Sequence, residues 1–264
     1  MQIKLNEGRR DSIKKIIALG SLTIGWPRNA SAIGSTLINK KSAANESEAG
    51  KGFTVLFQGD SITDGNRSRN SDWNHVMGHG YAYIIASRLW YDYPSKGYHF
   101  FNRGISGNKV SDLTGRWEED TVAIKPDLLS ILIGVNDLNS FIDKSNPHPV
   151  SAVSFEEGYR ALLKETKEKL PNTQIVICEP FILPVGTVKD NWETWSGEMK
   201  TRQEIVKRIS AETGTTFVGL QDAFNKACEK APADYWIWDG IHPMPAGHEL
   251  IARSWIHVVK KRHL

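Results

Sequence analysis

Five short apolar runs rich in β-branched and aromatic side chains punctuate the chain, at residues 53–57, 99–102, 128–133, 174–178 and 215–218. Each has strand length. Between them lie longer segments whose apolar positions recur at helical spacing. Residues 154–170 are the clearest case: Phe155, Tyr159, Leu162 and Leu163 fall on one face, and Ser154 and Glu157 have the spacing of a capping box. Residues 246–259 read as a final amphipathic helix. Five successive strand-then-helix units predict an α/β domain whose mostly parallel sheet carries helices on both faces.

Sheets of that kind place their sites beyond the carboxyl ends of the strands. The segments there are "GDSITDG" after the first strand, "RGISGN" after the second, "GVND" after the third, and "DGIHP" just before the last helix. Ser61 stands where a strand meets a helix, so it is either the helix cap or a nucleophile exposed beside backbone N–H groups. Asp239 and His242 lie three residues apart beside a proline turn. A carboxylate there can fix the tautomer of the imidazole and leave its other nitrogen free to take a serine proton. Gly104 offers a backbone N–H and Asn136 a side-chain amide for an oxyanion, with the N–H of Ser61 as a third donor. Taken singly, Gly104 reads equally as a turn glycine and Asn136 as an Asx turn. Taken together at four strand ends, Ser61, Gly104, Asn136, Asp239 and His242 form a complete candidate for acyl transfer.

Composition adds a boundary. At 264 residues, 40% hydrophobic and 24% charged, the chain suits one ordinary domain with a full core. No run approaches the roughly 20 apolar residues of a membrane span. Residues 1–32 instead follow the plan of an export signal: Arg9, Arg10, Lys14 and Lys15, then a modest apolar stretch, then Ala30-Ser31-Ala32. "RRDSIKK" resembles a twin-arginine signal, and the expected location is the periplasm or the extracellular space. That segment holds six Lys or Arg against two Asp or Glu. Subtracting its +4 from the chain's +3 leaves −1, so nothing points to a nucleic-acid surface. Residues 33–52 are polar and aperiodic and read as a flexible linker, which leaves 53–264 as the folded domain. Cys178 falls in a core strand and Cys228 in a helical pattern. They read as two buried thiols, with a disulfide left open.

"GDSIT", the glycine of "NRGISGN", "GVND" and "DGIHP" resemble the four motif blocks of the SGNH (GDSL-type) hydrolases. The resemblance spans residue 53 to the C-terminus. It implies a flavodoxin-like three-layer α/β/α sandwich and a cofactor-free serine esterase. Ser61 would be the nucleophile, Asp239 and His242 would complete the triad, and Gly104 and Asn136 would complete the oxyanion hole. "GHGYAYIIASRL", "NRGISGNKVSDLTGRWEED", "KPDLLSILIGVND" and "DGIHPMPAGHELIARSW" are similar to bacterial acetylxylan and acetyl-xylooligosaccharide esterases. That narrower resemblance implies deacetylation of xylan or xylooligosaccharides.

Nine tryptophans agree with a saccharide substrate, though tryptophan serves equally as core or as an oligomer contact, which leaves room for a homo-oligomer. Trp73, Trp192, Trp195, Trp236 and Trp238 lie in loop-like stretches. Trp238, next to Asp239, is the best placed to shape a sugar or acyl pocket; Trp192, Trp195 and Asp60 are further substrate candidates. Asp60 and Asp64 are also expected to bond local backbone, Asp137 to support a turn, and Arg103 to orient a loop or meet substrate. His75 and His79 lack an acidic partner at ligand spacing, so no metal is expected. His248 reads as packed or solvated. Two other readings stand beside deacetylation: a short-chain esterase or lysophospholipase-like lipase, and a carbohydrate-binding module without turnover.

Overall fold

A computed structural model describes residues 52–70 and 74–263; the export-signal reading, nearly all of the linker and Trp73 lie outside them. The elements run β1 (Thr54–Gly59), α1 (Ser61–Asp64), α2 (Tyr81–Asp92), β2 (His99–Asn102), α3 (Val110–Gly115), β3 (Leu128–Leu132), α4 (Val135–Ile142), α5 (Ala152–Lys169), β4 (Gln174–Cys178), α6 (Gly186–Lys189), α7 (Trp192–Thr213), β5 (Thr216–Val218), α8 (Gln221–Cys228), α9 (Ala233–Trp236) and α10 (Pro245–Lys260). The strands form one sheet in the order β2-β1-β3-β4-β5 with every pairing parallel. This is the flavodoxin-like order, whose direction of winding reverses between β1 and β3.

The apolar runs become strands because they are buried on both faces. In β1, Val55 and Phe57 join one core cluster and Leu56 joins the other. The first cluster lies against α2, α8 and α10, through Ile85, Leu89, Phe224, Ile251 and Trp255. The second lies against α3, α5 and α7, through Leu113, Phe155, Tyr159 and Val206. Two buried indoles anchor these layers through their N–H groups: Trp255 donates to Ser130 Oγ at 2.9 Å and Trp117 to Thr166 Oγ1 at 3.0 Å. Buried N–H groups left without such acceptors would be costly.

Several expectations need correction. Helix α5 begins at Ala152, and its cap is Ser151, whose Oγ accepts from Ser154 N at 3.1 Å; Ser154 and Glu157 therefore lie inside the helix and make no capping box. Trp192 and Trp195 belong to α7 and Trp236 to α9, not to loops. Cys178 is buried, whereas Cys228 is half-buried, and both are free.

Candidate active site

Strand β1 runs into α1 with a single residue between them. Asp60 caps that helix, its Oδ1 accepting from Ile62 N at 3.0 Å. The cap is thus Asp60, which leaves the Ser61 hydroxyl free of that duty. Ser61 Oγ lies 2.8 Å from His242 Nε2. On the far side of the ring, His242 Nδ1 lies 2.6 Å from Asp239 Oδ2. Asp239 Oδ1 accepts from the backbone N–H groups of Ile241 at 2.9 Å and His242 at 2.7 Å. Burial pushes this carboxyl upward, but those hydrogen bonds and the imidazole outweigh it and hold Asp239 below the ordinary carboxylate range.

The loop carrying Asp239 and His242 is fixed from both sides. Ile237 and Pro243 form an antiparallel bridge across its base, and Trp238 N donates to His242 O at 3.2 Å. Leu183 N donates to Gly240 O at 3.0 Å. Gly240 has φ +96°, and a Cβ there would lie 2.6 Å from Val185 O, so the close approach to α6 needs glycine. The Trp238 ring stacks beside the His242 ring, with centroids 6.1 Å apart and planes at 22°. Trp238 is 59% exposed, which gives the site an open aromatic face.

Asn136, in the first turn of α4, donates from Nδ2 to Asn108 O at 3.1 Å, so one of its two N–H groups is engaged and the other is not committed by that bond. Its neighbour Asp137 is buried and accepts from Val110 N at 3.2 Å, tying α4 to α3. Burial raises Asp137 to about 6. Burial likewise raises Asp60 to about 7. His248 is buried beneath the site, where its Nδ1 accepts from Tyr81 N at 3.2 Å; desolvation lowers it to about 4.

Gly104 does not fit the role expected of it. Its N–H donates to Asn102 Oδ1 at 2.9 Å, and a Cβ there would lie 2.3 Å from Asp64 N. The glycine lets the β2 loop pack on α1; its N–H is already engaged. Three residues on, Gly107 is exposed with φ +84°, and its N–H meets no acceptor among the described residues. The positive φ is a tertiary property, and the sequence signal available for it was a second glycine in "RGISGN". Sequence reasoning also missed Arg116. Its guanidinium bonds Gln58 Oε1 at 2.9 Å, Asn108 Oδ1 at 2.8 Å and Gly59 O at 3.4 Å, and so links the loop after β2 to the end of β1.

Three further substrate candidates are placed elsewhere. Asp60 is buried behind Ser61 and has no surface to offer a sugar. Trp195 is packed in the core cluster that holds Val188 and Met199. Trp192 is half-buried and lines a cavity of about 180 Å³ with Met199, Gln203 and Asn225. Arg103 Nε lies 3.5 Å from Asp120. Among the described residues no group of three His, Cys, Asp or Glu side chains could hold a metal ion, and no helix is long and apolar enough to cross a membrane.

The chain has counterparts among known proteins in sequence and in fold. A family profile described as the GDSL-like lipase/acylhydrolase family matches residues 57–250. An acetylxylan esterase from Geobacillus stearothermophilus is 36% identical over 215 residues, covering 80% of this chain and 95% of its own. A GDSL-like lipase structure from Parabacteroides merdae superposes with a TM-score of 0.76 at 42% identity, covering 80% of this chain and 96% of that one. A structure of a catalytic mutant of the Geobacillus stearothermophilus acetylxylan esterase gives a TM-score of 0.72 at 36% identity, covering 80% of this chain and 95% of that one.

Proposed function

Because the chain belongs to the GDSL-like lipase/acylhydrolase family and is a carboxylic ester hydrolase by that membership and its acetylxylan esterase relative, we propose that it removes acetyl groups from xylan or xylooligosaccharides through an acyl-enzyme on Ser61. The observation that carries the reading is the continuous chain of contacts from Ser61 Oγ to His242 Nε2 at 2.8 Å and from His242 Nδ1 to Asp239 at 2.6 Å. His242 takes the serine proton as Oγ attacks the acetyl carbonyl. Asp239, held ionised by its hydrogen bonds, keeps the ring oriented and balances the imidazolium that forms. His242 then gives the proton to the departing sugar hydroxyl. Water repeats the sequence on the acyl-enzyme and releases acetate.

The oxyanion is assigned to the N–H groups of Ser61 and Gly107 and to the amide of Asn136. Gly107 takes the place expected of Gly104 because its N–H is unengaged, whereas the Gly104 N–H serves Asn102. The adjacent Asn108 carbonyl accepts from Asn136 itself, so the loop that carries Gly107 is tied to the helix that carries Asn136. Trp238 supplies a face for the apolar side of a sugar ring. Residues 1–32 are proposed to direct export, which is tested by fractionating cells that produce the full chain and sequencing the N-terminus of the exported form.

Acetate release from acetylated xylooligosaccharides, set against p-nitrophenyl esters from two to twelve carbons, tests the substrate. Deacetylation is expected, with rates falling steeply beyond the shortest acyl chains. A rate that rises with chain length points to a lipase, and no turnover of any ester points to a binding module.

A further inference from the structure

We propose that a cavity beside β2 is a subsite for a carboxylate carried by the saccharide chain, so that uronate-bearing acetylated oligosaccharides are the preferred substrates. The inference rests on the esterase reading above and extends it to the charge of the substrate. The cavity holds about 310 Å³ and is lined by Arg67, Arg69 and Arg103, with Phe100, Phe101 and Val76 as its apolar wall.

Among the described residues its charges do not balance. Arg69 is held by Asp64, through Nη1 at 3.1 Å and Nη2 at 2.6 Å. Asp120 is claimed by Arg116 Nη1 at 2.8 Å, and Arg103 reaches it only through Nε at 3.5 Å, a buried nitrogen that has no hydrogen bond. Arg67 Nε donates to a neutral acceptor, Gly104 O, at 2.9 Å. Among the described residues, the three guanidiniums that line the cavity, those of Arg67, Arg69 and Arg103, thus meet two carboxylates, Asp64 and Asp120, and Asp120 is shared with Arg116. Burial, helped by the like charges of Arg69 and Arg103, lowers Arg67 to about 10. An anion would relieve this repulsion, and the planar fork of arginine suits a carboxylate.

The position suits a substituent on the same substrate. Asp64, which holds Arg69, stands three residues along α1 from Ser61, an axial rise of about 4.5 Å. It also accepts from Ser106 N at 3.2 Å, next to Gly107. Arg67 props the Gly104 carbonyl of that same loop. The arginines of the cavity and two of the proposed oxyanion donors, Ser61 and Gly107, therefore belong to the same two segments, those after β1 and β2. Phe101, which is exposed, and the half-buried Val76 give a pyranose ring an apolar surface beside the guanidiniums.

The test uses the full chain and two acetylated xylooligosaccharides of equal length, one neutral and one bearing a glucuronate branch. The acidic substrate is expected to have a kcat/KM about tenfold higher, the scale of one charge-assisted hydrogen bond, and the advantage should shrink in concentrated salt. Arg69→Gln, at a side chain 51% exposed, should bring the ratio towards one while leaving p-nitrophenyl acetate turnover near wild type; Arg67→Gln, whose guanidinium also props the Gly104 carbonyl, should bring the ratio towards one whatever its effect on that turnover. Inorganic phosphate should compete with the acidic substrate and spare the neutral one. Equal kcat/KM for the two substrates overturns the proposal, as does a preference that survives both substitutions. Phosphate binding without any gain for the acidic saccharide overturns it too, since the cavity would then take a free anion only. If neither saccharide is turned over, the esterase reading fails by itself. Calorimetric binding of the two deacetylated oligosaccharides then decides the subsite alone, with tighter binding of the acidic one supporting it and equal binding refuting it.

Discussion

Asp60→Asn isolates the cost of keeping a carboxyl buried next to Ser61. The amide oxygen can still accept from Ile62 N, so the cap of α1 survives. In the folded protein, burial raises the Asp60 carboxyl from its ordinary 3.8 to about 7. Between those values the native state holds a proton that the unfolded chain has released. Stability therefore falls as pH rises through that window, and levels off above the folded value. For a folded pKa of about 7, a rise from pH 5 to pH 8 removes about 3 kcal/mol. Asparagine does not titrate, so the variant escapes this loss. The assay is urea unfolding of both proteins at pH 5 and at pH 8. The stability difference, variant minus wild type, should grow by about 2–3 kcal/mol between the two pH values. A difference that stays constant within about 0.5 kcal/mol would mean Asp60 is ionised at pH 5, and the buried-carboxyl account of this turn would be wrong.

Asn136→Ala should lower kcat by about 10²–10³ if its amide stabilises the oxyanion, with KM little changed; a loss below tenfold in steady-state assays demotes it to a tether for the Asn108 loop. Trp238→Ala should raise KM for acetylated xylooligosaccharides several-fold more than KM for p-nitrophenyl acetate. Equal changes for both would assign the indole to supporting His242 and not to holding sugar.

The strands and the meeting of Ser61, Asp239 and His242 were legible in the sequence for different reasons. The strand runs are buried on both faces, so their hydrophobicity is continuous, and β2 and β4 occupy the residues expected while the others differ by at most two at an end. Ser61, Asp239 and His242 were legible because parallel sheets gather strand ends at one edge, so spacing along the chain translates into proximity. Gly104 was misread because the group that occupies its N–H, Asn102 Oδ1, depends on how β2 turns, and a glycine's identity carries no trace of that. The start of α7 was hidden because Trp192 and Trp195 are joined by Glu193, Thr194, Ser196 and Gly197, a polar run that reads as a loop. The helix is fixed further along, where Met199, Val206 and Ile209 meet the core. Ser151 lost to Ser154 in the reading because both are good caps and only the backbone decides between them. The arginine cavity was invisible because its residues come from distant segments that folding brings together.

The central claim is that the Ser61 hydroxyl is made nucleophilic by His242. Reaction with diethyl p-nitrophenyl phosphate followed by peptide mass spectrometry tests it most directly. The account predicts one phosphoryl group per chain, on Ser61, with activity lost in proportion, and labelling at least a hundredfold slower in His242→Ala, by the scale of triad deletions. Full esterase activity with Ser61 unlabelled, or stoichiometric labelling at another residue, would contradict it.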